Sequence, residues 1–127
     1  MNGNINEHDF WKYSWHDANI EKIEIIVNQI TITVHLDGYD SPIKVLCSDV
    51  LGLTDLCMWE DTIIFNATLK KVTQELPSFL QQVKNAYSYE ESIYNNPPIK
   101  DNLLCLSVEL VNDIAFHIYC YDVEIVE

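Results

Sequence analysis

The chain has 127 residues, 20 acidic against 7 basic, and a formal net charge of −13. That length fits one domain over 1–127, and a hydrophobic content of 48% is enough for a packed core despite the acidity. All seven basic residues are lysines, and the excess of acid disfavours nucleic acid as a partner, because phosphate binding needs clustered Lys and Arg. No apolar run is long enough for a membrane span, and MNGNINEHDFWKYSWHD lacks a basic region followed by an apolar stretch. The expected location is therefore the cytoplasm, with Cys47, Cys57, Cys105 and Cys120 reduced.

Residues 1–9 are polar and expected to fray. Phe10 to Trp15 carries three large aromatics, and the i, i+4 spacing of Trp11 and Trp15 predicts one helical face that plugs an end of the core. Ile20 to Val27 reads as a strand, with Ile23, Ile25 and Val27 in phase. After the break at Asn28-Gln29, Ile30, Ile32, Val34 and Leu36 alternate with Thr31, Thr33 and His35, the clearest period-two stretch in the chain. Asp37 to Pro42 has turn composition, and Ile43 to Cys47 is a third strand. Val50 to Asp61 is irregular in pattern. Thr62 to Leu69 predicts a fourth strand, with Ile63, Phe65, Ala67 and Leu69 on one face.

Leu76, Phe79, Leu80, Val83 and Tyr87 form an i, i+3, i+4, i+7 stripe, and Pro77 suits the first turn of a helix. Asn95-Asn96-Pro97-Pro98 interrupts any helix. A closing hairpin follows, with Leu104, Leu106, Val108 and Leu110 in one strand and Ile114, Phe116, Ile118 and Cys120 in the next. The predicted class is α+β: an antiparallel sheet of about six strands with one amphipathic helix packed on it.

Residues 30–50 and 103–123 each read as strand, Asp-bearing turn, strand, then Cys-x-Asp-Val: Cys47 to Val50 and Cys120 to Val123. Two similar hairpins suggest one sheet built from a repeated unit.

Little in the chain points to catalysis. There is no G-x-S-x-G, and three glycines cannot build a phosphate cradle. The cysteines lack paired zinc spacing, so no metal and no cofactor is expected. The sharpest catalytic alternative is a metal-dependent enzyme using His16, Asp17, His35 and His117, with the last two at corresponding places in the two hairpins. Adjacent side chains such as His16 and Asp17 do not face each other on a regular element, which weakens it. The expected role is non-enzymatic binding of a basic partner, steered by charge. The candidate contacts are the loop acids and aromatics Asp37, Asp40, Asp55, Trp59, Glu60, Asp61, Tyr89, Glu90 and Glu91. A regulatory module with some other protein partner is the alternative within the same class.

Trp15, His16, Asp17, Ala18 and Ile20, followed by a paired strand and a final strand carrying Cys120 to Glu124, resemble small bacterial immunity proteins. Those families open with an aromatic before His-Asp-Ala and close on a Cys- and Asp-bearing acidic strand. The resemblance implies an immunity protein of a polymorphic toxin or contact-dependent growth inhibition system. Such a protein binds a cognate toxin domain, often a basic nuclease, and blocks it. The resemblance supplies no catalytic residues.

Overall fold

The computed structural model describes residues 7–54, 63–72 and 102–127. Aliphatic residues at every second position produce strands, and the described residues hold six: β1 (Asn19–Ile26), β2 (Gln29–His35), β3 (Ile43–Thr54), β4 (Ile64–Lys71), β5 (Leu104–Leu110) and β6 (Ala115–Val126). They form one antiparallel sheet in the order β1-β2-β3-β6-β5-β4. The sheet is thus two three-strand meanders joined along β3 and β6, its two longest strands at 12 residues each.

The outer strands bend towards each other at one end. Asn19 bridges Ile63, the Asp17 N–H donates to the Ile64 carbonyl at 2.9 Å, and the Ile64 N–H donates to the Ala18 carbonyl at 2.8 Å. Both outer strands slip register just past this junction, between Ile20 and Lys22 in β1 and between Ile64 and Asn66 in β4. A bulge strengthens local twist, which brings the strands together and then carries them apart. The sheet is a barrel closed at one corner.

Side chains of all six strands fill the interior. Ile30, Ile32 and Val34 of β2, Ile43, Val45 and Cys47 of β3, and Phe116, Ile118 and Cys120 of β6 are all buried, as their alternation predicts. Phe10 and Trp15 close one end, stacked with ring centroids 4.5 Å apart, and the Trp15 Nε1–H donates to the Phe10 carbonyl at 2.9 Å. That bond satisfies the one polar atom of a buried indole. A small gap beneath the pair is lined only by apolar side chains, among them Ile32, Val45, Ala67 and Val108, which gives water nothing to bond. On the opposite face of the sheet, Leu103 and Tyr119 pack with Leu51, Val72, Cys105 and Tyr121.

The repeated hairpins take equivalent places. Each supplies one central strand and its neighbour, β3 with β2 and β6 with β5. Across the seam, Cys47 of the first Cys-x-Asp-Val pairs with Val123 of the second, and Cys120 of the second pairs with Val50 of the first. The two motifs therefore meet head to tail around a local pseudo-two-fold.

Several expectations change. Glu7–Phe10 is a single helical turn, α1, where a frayed end was expected. Trp11 and Trp15 do not share a face: the helix stops at Phe10, so Trp15 enters the core while Trp11 stays 68% exposed. β3 does not end at Cys47. It passes through Asp49 at φ +53° and continues to Thr54, held by β6. Phe65 leaves the shared face and is exposed, because the bulge beside it reverses the alternation, and Ile64 is buried in its place. Ile25 and Val27 extend past the core and are exposed. The predicted amphipathic helix lies outside the described residues.

Candidate partner-binding surface

The loop that plugs the barrel also builds a surface. After α1, the Lys12 N–H donates to the Asp9 carbonyl and the Tyr13 N–H to the Phe10 carbonyl, a tight turn that sends Phe10 and Trp15 inward. Trp11 is left outside and Tyr13 half-buried, its ring 5.7 Å from that of Trp15. The Tyr13 hydroxyl donates to Glu127 Oε2 at 3.0 Å. Lys12 is paired with Asp9 at 3.0 Å across one turn.

The β2–β3 turn stands beside this loop. Leu36 is buried and anchors it, the Tyr39 N–H donates to the Leu36 carbonyl, and Gly38 takes φ +86°, a left-handed conformation open to glycine. His35 latches the turn to the sheet: Nε2 lies 2.7 Å from the Tyr39 carbonyl and Nδ1 lies 3.3 Å from Glu21 Oε2 on β1. Both partners are acceptors, so an imidazolium satisfies both contacts at once. Asp37, Tyr39 and Asp40 project to solvent. Burial first, then the bond to Glu127 and the charges of Glu127, Tyr39 and Asp9, push the Tyr13 phenol above its ordinary value.

The result is a rim at the plugged end: aromatics Trp11, Tyr13 and Tyr39 among carboxylates Asp9, Asp37, Asp40 and Glu127. Amphipathic rings flanked by acids suit a partner that offers cations and apolar stems together.

Two sequence-predicted contacts, Asp37 and Asp40, belong to this rim. Asp55, Trp59, Glu60, Asp61, Tyr89, Glu90 and Glu91 lie outside the described residues. Sequence reasoning passed over Asp9, Trp11, Tyr13, Tyr39 and Glu127. Trp11 and Tyr13 were assigned to the plug, and only the turn at Trp11 to Tyr13 separates the inward rings from the outward ones. Tyr39 could have been found from its place between Asp37 and Asp40 in a turn.

The histidines have separate partners. His16 Nδ1 bonds the Phe65 carbonyl at 2.9 Å, its ring stands edge-on to Phe65, and Nε2 lies 3.6 Å from Asp17. Asp17 sits at φ +66°, a left-handed position that Asp tolerates at a turn, and its backbone makes the barrel junction. His117 Nδ1 is 2.8 Å from Ser107 Oγ, which is 3.5 Å from Cys105 Sγ. His35 is on the first strand of its hairpin and His117 on the second, so their places do not correspond. Among the described residues, no group of three or more His, Cys, Asp or Glu could hold a metal ion.

The Ser107–His117 contact was not anticipated. It joins residues directly opposite on β5 and β6, and Thr54 stands across from His117 on β3 with its hydroxyl enclosed and without a partner among the described residues. A serine bonded to an imidazole is half of a nucleophile arrangement. No carboxylate orients this ring among the described residues. Two of the cysteines meet inside: Cys47 and Cys120 are buried as free thiols, and donation to Cys120, together with burial, pushes the Cys47 thiol well up, which keeps it protonated and inert.

No family model, curated protein or solved structure matches this chain.

Proposed function

We propose that this protein is a stoichiometric inhibitor of the immunity type, which binds a cognate bacterial toxin domain in the cytoplasm and blocks it. The carrying observation is the rim, where Trp11, Tyr13 and Tyr39 stand among Asp9, Asp37, Asp40 and Glu127. A basic nuclease groove is the complementary surface: carboxylates meet the lysines and arginines that otherwise hold phosphate, and the rings stack on their planes and stems. Occupation of that groove excludes the nucleic acid. The net charge of −13 supplies long-range steering towards such a target. The acids Asp55, Glu60, Asp61, Glu90 and Glu91, with Trp59 and Tyr89, extend the proposed contact set.

The test is capture from source-cell lysate at low and high salt, read by mass spectrometry, followed by kinetics with the purified partner. The expected result is one basic toxin domain bound one-to-one and weakened by salt. Reversing Asp37 and Asp40 together, or Glu60 and Asp61, or Glu90 and Glu91, should slow association by about tenfold or more. On-rates unchanged in all three double reversals would defeat the assignment of the interface. A specific partner without toxic activity would instead favour the regulatory module.

A further inference from the structure

The fold leaves three aliphatic residues unburied at the end of β1 remote from the rim. Ile25, Ile26 and Val27 are 56%, 63% and 89% exposed. β1 is an outer strand, and along Lys22–Ile26 its single strand neighbour among the described residues is β2. The pair Ile26↔Gln29 closes a two-residue turn, so those two residues exchange both hydrogen bonds. The alternation then directs the main-chain groups of Glu24 and Lys22 towards β2, and those of Ile23 and Ile25 towards the free edge. Such an edge is a template for another strand, and natural edges are commonly blunted by proline, unpaired lysine or a bulge. β1 contains no proline, and its bulge precedes the stretch Lys22–Ile26. Its one lysine, Lys22, is 3.5 Å from Glu24 on the same strand.

We propose that β1 is a self-association edge, pairing antiparallel with β1 of a second copy about a two-fold axis through Ile23. Outward-directed residues must meet outward-directed residues, which restricts the possible axes. With the axis at Ile23, Ile23 faces Ile23 of the second copy as a hydrogen-bonded pair, and Lys22 faces Glu24 of the second copy, twice by symmetry. With the axis at Glu24, two carboxylates oppose each other. With the axis at Ile25, Lys22 meets the turn residue Asn28. The segment Lys22-Ile23-Glu24 is thus charge-complementary to itself in one register, just beyond the bulge between Ile20 and Lys22. At physiological ionic strength the Debye length is about 8 Å, so repulsion between the distant acids of two copies is screened, while opposed pairs stay in contact. One strand pair covers less than a standard interface, so the dimer is reversible and concentration-dependent. The rim lies at the other end of the sheet and stays open in the dimer.

Sedimentation of the full chain over a range of concentrations, at physiological salt, tests this. The wild type is expected to show a monomer–dimer equilibrium. Lys22→Glu alone and Glu24→Lys alone should each weaken the dimer by about tenfold, because each places like charges opposite one another twice. The two substitutions together should restore it, since each acid again meets a base. Ile25→Pro, at an exposed position whose N–H faces the free edge and not β2, should abolish it. A chain that stays monomeric at every concentration overturns the proposal, as does a double exchange no better than either single one. Toxin binding by rim residues is read separately, so either proposal can fail without the other.

Discussion

Tyr13 shows how one residue serves two surroundings. Its ring leans on Trp15 at the plug, and its hydroxyl reaches the exposed carboxylate of Glu127. Burial and the neighbouring acids favour the neutral phenol and raise its pKa above the ordinary value of 10.0. The sign follows from proton linkage: the folded chain holds this proton more tightly than the unfolded chain. The stabilisation is complete below the ordinary value and is lost as pH rises through the folded value. Ultraviolet titration should show Tyr13 ionising later than an ordinary tyrosine, and Glu127→Gln should bring it earlier. A late step smaller by one tyrosine in Tyr13→Phe would identify it, and an undiminished one would refute the assignment. The sequence places aromatics at Phe10, Trp11, Tyr13 and Trp15 but does not say which turn inward. That choice is made by where α1 stops, and a four-residue helix has no periodic signal to mark its end.

At the scale of elements, the strands were legible wherever β-branched residues alternate without interruption. β2 is the clearest case: Ile30, Ile32 and Val34 are buried while Thr31, Thr33 and His35 are half-exposed. Legibility fails at bulges, because an extra residue needs no special side chain. Phe65 was placed inward from a correct strand with an undetected slip between Ile64 and Asn66. β3 was cut short at Cys47 because the pattern turns irregular from Val50, yet pairing with β6 carries the strand past Asp49 and Gly52, a tertiary override of local preference. The barrel junction was invisible for a similar reason: the bonds at Asp17, Ala18 and Ile64 are all main-chain. Amide exchange should display it. The Asp17 and Ile64 amides are expected to exchange slowly, and those of Ile23 and Ile25 fast in dilute solution. Equal rates at both places would mean that the corner is open in solution.

At the scale of the molecule, net charge and the six-stranded antiparallel sheet were legible, and the candidate rim only in part. Composition alone indicates an acidic chain, and period-two patterning alone indicates antiparallel strands. The exposure of Asp37 and Asp40 was legible because turns expose their acids. The rest of the rim depends on loops distant in sequence coming together, Asp9 to Tyr13, Asp37 to Asp40, and Glu127, and no local pattern encodes that meeting. The same holds for Ser107 and His117, which are opposite only because the closing hairpin sets their register. The charge also bears on the two proposed contacts differently. Toxin association should weaken with salt, because it relies on attraction between whole surfaces. The β1 edge relies on two opposed pairs at close quarters.

The seam between β3 and β6 also sets a kinetic demand. The β1–β2 and β5–β6 hairpins close through short turns and β4 pairs β5 across a longer connection, but the pairs from Lys44↔Val126 to Thr54↔His117 join positions roughly sixty to eighty residues apart along the chain. Ordering so long an intervening stretch costs entropy before the central contacts return anything. The halves can zip early, and the rate-limiting search is for their docking, on the millisecond-to-second scale of non-local β-proteins. Core substitutions at the seam, such as Val123→Ala, should slow refolding more than substitutions within one meander, such as Ile32→Val, when compared at equal loss of stability by stopped-flow fluorescence. If the order is reversed, nucleation lies inside a meander. On the first outcome, the head-to-tail meeting of Cys47 with Val123 and Cys120 with Val50 is the step on which the whole fold waits.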